Sequence, residues 1–136
     1  MIVDTSALVA ILIQESGWEA LRAAVADEPA RLPAPARVEF LRVASGERFG
    51  LGDYAEGLLN EWESMGLEVV PFNEAHARLA AQANAEYGKG LRTGGKLNLL
   101  DLMVYAVAKE SGEPLLCTGK DFAATDLALH AASRPF

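Results

Sequence analysis

The chain has 136 residues, 51% hydrophobic and 23% charged, which suits one domain with one real core and excludes wholesale disorder. Its formal net charge is −7, from 19 acidic against 12 basic residues, the wrong overall sign for gripping phosphates by bulk charge, so a nucleic-acid partner requires local charge or bound cations at the site. The single Cys117 excludes an internal disulfide framework and fits a reducing compartment, and with no basic leader and no run near the roughly 18 apolar residues of a membrane span the expected location is the cytoplasm.

"MIVD" is a β-branched run suited to a buried strand. "TSALVAILI" follows as a helix capped by Thr5 or Ser6, and it is apolar nearly all round, so it is expected to be buried. "WEALRAAVADE" reads as a helix with Leu21, Ala24 and Val25 on one face. The prolines of "PARLPAP" leave room for a short strand or extended passage. "ARVEFLRVASGERFG" predicts a helix ending near Gly50, and "DYAEGLLNEWESMG" another running to Gly66. "LEVVPF" is a strand, and the next helix has an Asn73 cap and a Gly88 stop. The glycine-rich "KGLRTGGK" predicts an exposed, mobile loop. A helix capped by Asn98 and stopped at Gly112 precedes the buried strand "PLLCTG". "KDFAATD" is a turn or short helix, and the tail "LALHAASRPF" carries no decisive pattern. Strands separated by helices imply parallel pairing through right-handed crossovers. The expected fold is one α/β domain over 1–136, a three-layer α/β/α sandwich with a central parallel sheet.

In open parallel sheets, ligands bind beyond the carboxyl ends of the strands. Asp4 closes the first strand, Asp121 lies just past the last, and Asp126 follows in the same connection. Glu39, between Val38 and Phe40, and Asp101, in "NLLDLM", are expected in the first turns of helices. Each has an ordinary reading as well. Asp4 can cap the first helix, Glu39 can pair with Arg42, Asp101 can complete a capping box with Asn98, and Asp121 and Asp126 can be turn residues. Cys117 reads as core, and His76 and His130 as packed or solvated. No Ser-His-Asp set, Walker loop, Rossmann fingerprint or paired-cysteine motif is present. Several carboxylates beside apolar residues, with no histidine among them, suit a hard cation such as Mg²⁺ or Mn²⁺. Such an ion relieves the like-charge repulsion and attracts phosphate in spite of the net charge.

The stretches "MIVDTSALVAIL", "VEFLRV", "YGKG" and "KLNLLDLMVYAVAKESGEPLLCTGKDFAATDL" resemble the PIN-domain toxins of VapC type, from Met1 to about Leu127. The resemblance implies a PIN-like fold and a Mg²⁺- or Mn²⁺-dependent endoribonuclease, the toxin of a type II toxin-antitoxin pair. It further implies inhibition by a cognate VapB-type antitoxin and a homodimer. By position, it makes Asp4, Glu39, Asp101 and Asp121 catalytic, with Asp4, Asp101 and Asp121 as metal ligands. Ser6 and Asp126 are accessory, Ser6 through hydrogen bonds to a ligand carboxylate or metal water. One departure is Leu100, where the family usually has glycine before the third aspartate. Lys89, Arg92 and Lys96 are the best local cluster of cations for an RNA backbone. Leu58, Leu59 and Trp62 are candidates for a dimer face or ordinary core. Two rival readings stand beside the nuclease: a weak or inactive PIN-like regulatory or RNA-binding domain, and a receiver-type signalling module. Receivers group paired acids after the first strand, whereas "IVDTS" has one.

Overall fold

The computed structural model describes residues 1–134, so Pro135 and Phe136 of the expected tail lie outside the described residues. Ile2 and Val3 form strand β1 (Ile2–Val3), fully buried, as a β-branched pair with no polar face should be. It is followed by α1 (Thr5–Leu12) and α2 (Trp18–Asp27), then β2 (Arg31–Pro33). Helix α3 (Ala34–Ser45) begins directly off β2, with Pro35 in its first turn, where a missing N–H costs nothing. After α4 (Gly52–Ser64) come β3 (Glu68–Val70), α5 (Glu74–Tyr87), α6 (Leu99–Ser111) and β4 (Leu115–Leu116).

The four strands are all parallel, in the order β3-β2-β1-β4, and helices flank the sheet as expected. From β1 the chain moves outward to β2 and β3, then returns across the sheet to place β4 on the other side of β1. The direction of winding therefore reverses at β1 and β4. That reversal opens the crevice in which open α/β sheets bind ligands, at the carboxyl edge.

Helix ends follow local chemistry. Asn73 accepts from the His76 amide, and His76 Nδ1 accepts from the Asn73 amide (3.0 Å), a reciprocal cap at the start of α5. Asn98 and Asp101 make the equivalent box on α6, which ends at Gly112 with φ 71°. Helix α3 is shorter than its sequence pattern: it stops at Ser45, and a turn over residues 46–51 replaces its last expected turn. That turn closes on itself through Gly50 N to Gly46 O (2.8 Å) and Leu51 N to Ala44 O (2.7 Å). The glycine-rich loop is exposed over most of its length, but its base is tied by Lys89 N to Leu97 O (2.8 Å) and Leu97 N to Tyr87 O (3.0 Å). The tail resolves into a passage alongside β4, bonded through His130 N to Leu115 O and Arg134 N to Cys117 O.

Between sheet and helices lies one core that includes Ile2, Leu8, Leu32, Phe40 and Leu116. Leu59 and Trp62 belong to it, at 0% and 5% exposure, so neither offers the dimer face considered from sequence. Cys117 is also core, and burial pushes its thiol up to about 12. Phe40 is wholly buried, its ring 6.4 Å from that of Trp62. Phe40→Ala should remove about 3–5 kcal/mol of unfolding free energy with the m-value unchanged, read from urea denaturation followed by circular dichroism.

Candidate active site

Asp4 is the first residue beyond β1, and its amide is still bonded to Leu116 O of β4 (2.9 Å). Its extended backbone makes it the N-cap of α1, the role that the sequence left open between Thr5, Ser6 and Asp4 itself. Asp4 Oδ2 accepts from the Ser6 amide (3.0 Å) and from the Ser6 hydroxyl (2.5 Å). Ser6 Oγ in turn accepts from the Thr118 amide (3.0 Å), just past β4. A single hydroxyl thus locks the Asp4 carboxylate to the ends of both strands that flank the crevice.

Glu39 lies in the second turn of α3, one turn later than expected, and α3 packs against both α1 and α6. Among the described residues it makes no ion pair with Arg42 or any other cation. Asp101 sits in the first turn of α6 and spends one oxygen, Oδ2, on the Asn98 amide (3.0 Å). Asp4, Glu39 and Asp101 line one open pocket of about 380 Å³ with Ser6 and Thr118. Asp121 is exposed beyond β4, outside that lining but near enough for its charge to act on Asp101. Among the described residues no ion pair reaches any of these four acids, whereas Glu113 pairs with Arg31 (2.7 Å) and Glu63 with Arg37 (3.2 Å) elsewhere.

The electrostatics follow from that contrast. Burial pushes the Asp4 carboxyl from 3.8 up to about 6, against the pull of the Ser6 hydrogen bonds and with a further push from Glu39. Burial likewise lifts Asp101 to about 7, offset by the Asn98 amide, with Asp4, Asp121 and Glu39 each adding repulsion. These carboxylates feel one another's charge, yet among the described residues no three acidic, histidine or cysteine side chains stand close enough to hold a metal ion as they are. The two observations agree for an ion such as Mg²⁺, which keeps several waters and takes only one or two carboxylates directly. An all-oxygen donor set fits a hard divalent cation.

Asp126 is placed differently. Tyr105 Oη and Lys109 Nζ each donate to it at 2.6 Å, and Lys109 first and Tyr105 second hold its carboxyl below the usual range. His76 Nε2 faces Glu110 (3.3 Å) and His130 Nε2 faces Glu28 (2.9 Å), so both histidines are occupied away from the pocket. Lys89, Arg92 and Lys96 are exposed on the glycine-rich loop, and Leu100 is half-buried next to Asp101. The pocket also gathers residues that the sequence reading did not single out: Glu15, Arg48 and Phe49, beside Val9, Ile13 and Val43. An adjacent basic–aromatic pair in a turn between Gly46 and Gly50 is the only local signal that could have drawn attention to them.

Residues 1–127 match the PIN domain, and the chain belongs to that family. It is 40% identical over 129 residues to the ribonuclease VapC42 of Mycobacterium tuberculosis, covering 93% of this chain and 96% of the relative. A ribonuclease VapC of Mycolicibacterium smegmatis is 42% identical over 131 residues, covering 94% and 98%. In fold, the chain is similar to the sarcin-ricin-loop-cleaving toxin VapC20 of Mycobacterium tuberculosis, with TM-score 0.73 at 15% identity over 93% of this chain and 95% of that one. It is also similar to a chain of VapBC2 from Rickettsia felis bound to promoter DNA, with TM-score 0.71 at 17% identity over 95% and 96%. Family membership removes the receiver-type alternative. PIN-domain ribonucleases in general use a divalent metal, and no helix among the described residues is long and apolar enough to cross a membrane.

Two outcomes follow from the carboxylate geometry. In metal-free protein, the raised Asp4 pKa favours the protonated acid, so its stabilising contribution is full below the ordinary 3.8 and lost as pH rises through about 6. The unfolding free energy of the native protein minus that of Asp4→Asn should therefore fall by about 2 kcal/mol from roughly pH 4 to pH 8, measured by denaturant titration in chelator. Ser6→Ala removes the hydroxyl bond that pulls the Asp4 carboxyl down and should shift its titration further upward, read by NMR in chelator.

Proposed function

We propose that this chain is a divalent-metal-dependent endoribonuclease, the toxin of a type II toxin-antitoxin pair, hydrolysing RNA phosphodiester bonds at the Asp4 pocket. The observation that carries the reading is the gathering of Asp4, Glu39 and Asp101 in one pocket at the winding reversal, with no cation among the described residues paired to any of them. Unpaired acids raised to about 6 and about 7 are poised to exchange protons for a divalent ion. The names of the curated relatives, ribonucleases over nearly the whole length, support the same activity.

Mg²⁺ or Mn²⁺, held by Asp4, Asp101 and Asp121 mostly through water, would supply charge neutralisation at the scissile phosphate and acidify a water for attack. The chain's own residues do the rest. Ser6 fixes the orientation of Asp4 and ties it to Thr118, so this oxygen does not swing away when phosphate approaches. Glu39, without an ion pair among the described residues, is available to accept the proton of the attacking water. Asp101 accepts the Asn98 amide through Oδ2, which leaves Oδ1 for the ion or its waters. Asp126, engaged by Lys109 and Tyr105, acts at most from outside by fixing the connection that carries Asp121. The Lys89, Arg92 and Lys96 loop serves the RNA backbone as exposed positive charge.

A VapB-type antitoxin partner and a homodimer belong to this proposal, and two solved neighbours are toxin-antitoxin assemblies. The most exposed large apolar residues, Val38 at 68% and Leu99 at 69%, flank Glu39 and Leu100, which supports protein contacts close to the pocket. The domain is proposed to span 1–136 and to act in the cytoplasm.

Purified protein with Mn²⁺ should cleave a structured RNA pool, and chelator should stop it. Asp4→Asn and Asp101→Asn should each lower kcat/KM about 100-fold or more while preserving the circular dichroism spectrum. Equal cleavage by the native protein and Asp4→Asn would refute the assignment of Asp4.

A further inference from the structure

Acidic and apolar side chains line the Asp4 pocket together: Asp4, Glu15, Glu39 and Asp101 with Val9, Ile13, Val43 and Phe49. Arg48 lines it too, its guanidinium over the Phe49 ring with its carbon 5.0 Å from the ring centroid. Arg48 is the pocket's one lining cation among the described residues, and among them it makes no ion pair. It is exposed and Phe49 is half-buried, so the pair presents a planar, cationic ledge.

The ledge is rigidly carried. Phe49 N bonds to Gly46 O (3.1 Å), Gly50 N to the same oxygen, and Leu51 N to Ala44 O. Gly50 turns the chain at φ 60°, where a residue without Cβ fits at no cost. The early end of α3 at Ser45 is what places residues 48 and 49 over the pocket.

A hydrated metal ion and a phosphate need neither an apolar wall nor an aromatic ring. An unpaired nucleobase needs both, because its face is apolar and stacks on aromatic rings and on guanidinium planes alike. A base inside a duplex has no free face to offer. We infer that the Arg48–Phe49 ledge and the Val9–Ile13–Val43 wall form a binding subsite for one unpaired nucleotide of the RNA, next to the scissile phosphate, with Arg48 also meeting a neighbouring phosphate. This rests on the nuclease reading and names the residues that would hold the base beside the cut. It also adds Arg48, on the turn after α3, to the RNA-contacting cations of the glycine-rich loop.

The test is steady-state cleavage of a single-stranded RNA oligonucleotide in Mn²⁺, with the cut position mapped first on the native protein. Phe49→Leu should raise KM about tenfold and leave kcat within about twofold, while Phe49→Tyr, which keeps the ring, stays near the native value. Arg48→Gln should raise KM similarly and reduce the salt dependence of binding by about one phosphate contact. Mn²⁺ affinity by calorimetry should be unchanged in all three. A substrate made abasic beside the cut should lose the same factor with the native protein and nothing further with Phe49→Leu. Unchanged KM in both Phe49→Leu and Arg48→Gln, with the native protein cleaving, overturns the subsite and leaves the nuclease standing. An equal KM rise for Phe49→Leu on intact and abasic substrates overturns it too, since the ring would then act only in packing. Native protein that binds Mn²⁺ and cleaves no RNA overturns the nuclease reading and the subsite with it.

Discussion

The carboxylate of Asp4 is buried at the end of β1, bonded to a hydroxyl and an amide and, among the described residues, to no cation. Burial of an unpaired charge is costly, and folding accommodates it by raising the pKa rather than by recruiting a base. Everything nearby is arranged to keep it so. The Ser6 hydroxyl passes a hydrogen bond from Thr118 to Asp4, which makes the β1–β4 crevice and the acid one rigid unit. Glu39 and Asp101 then arrive on helices that pack together, adding repulsion that a divalent ion would relieve.

The rest of the molecule treats its acids in the ordinary way. Arg31 bridges Glu113 and Glu68, Arg37 meets Glu63, Lys109 meets Asp126, and Arg78 meets Glu74 one helical turn away. Solvated surface acids lose little by standing alone, and several others do so, but among the described residues Asp4 is the one acid that is both buried and without an ion pair.

Much of the fold is legible locally. Asn73 with Gly88 and Asn98 with Gly112 bound α5 and α6 because capping chemistry acts within a few residues, and a β-branched run identifies β1 as a short apolar run identifies β4. Less legible is the end of α3. The run "RVASGERFG" satisfies a helical pattern as far as Phe49, yet the chain leaves the helix at Ser45 because Gly46 and Gly50 permit a tight turn that Leu51 anchors to Ala44. Asp126 offers a second instance. Its partners, Tyr105 and Lys109, lie 21 and 17 residues away, and no local spacing signals that they will reach it.

The sequence by itself determined the alternation of strands and helices, the parallel sheet that alternation requires, and the position of Asp4 and Asp121 at strand ends. Those properties depend on residue type and short-range periodicity, which a chain carries without folding. The resemblance of its motifs to the PIN family carried the remaining acids to the same site. Only the tertiary structure decided that Glu39 and Asp101 share a pocket with Asp4, that Asp126 is tied to Lys109 and Tyr105, and that Arg48 and Phe49 line the same pocket. Helix-on-helix packing and the reversal of winding at β1 bring together groups separated by tens of residues, and the free energy of those contacts exists only in the assembled core.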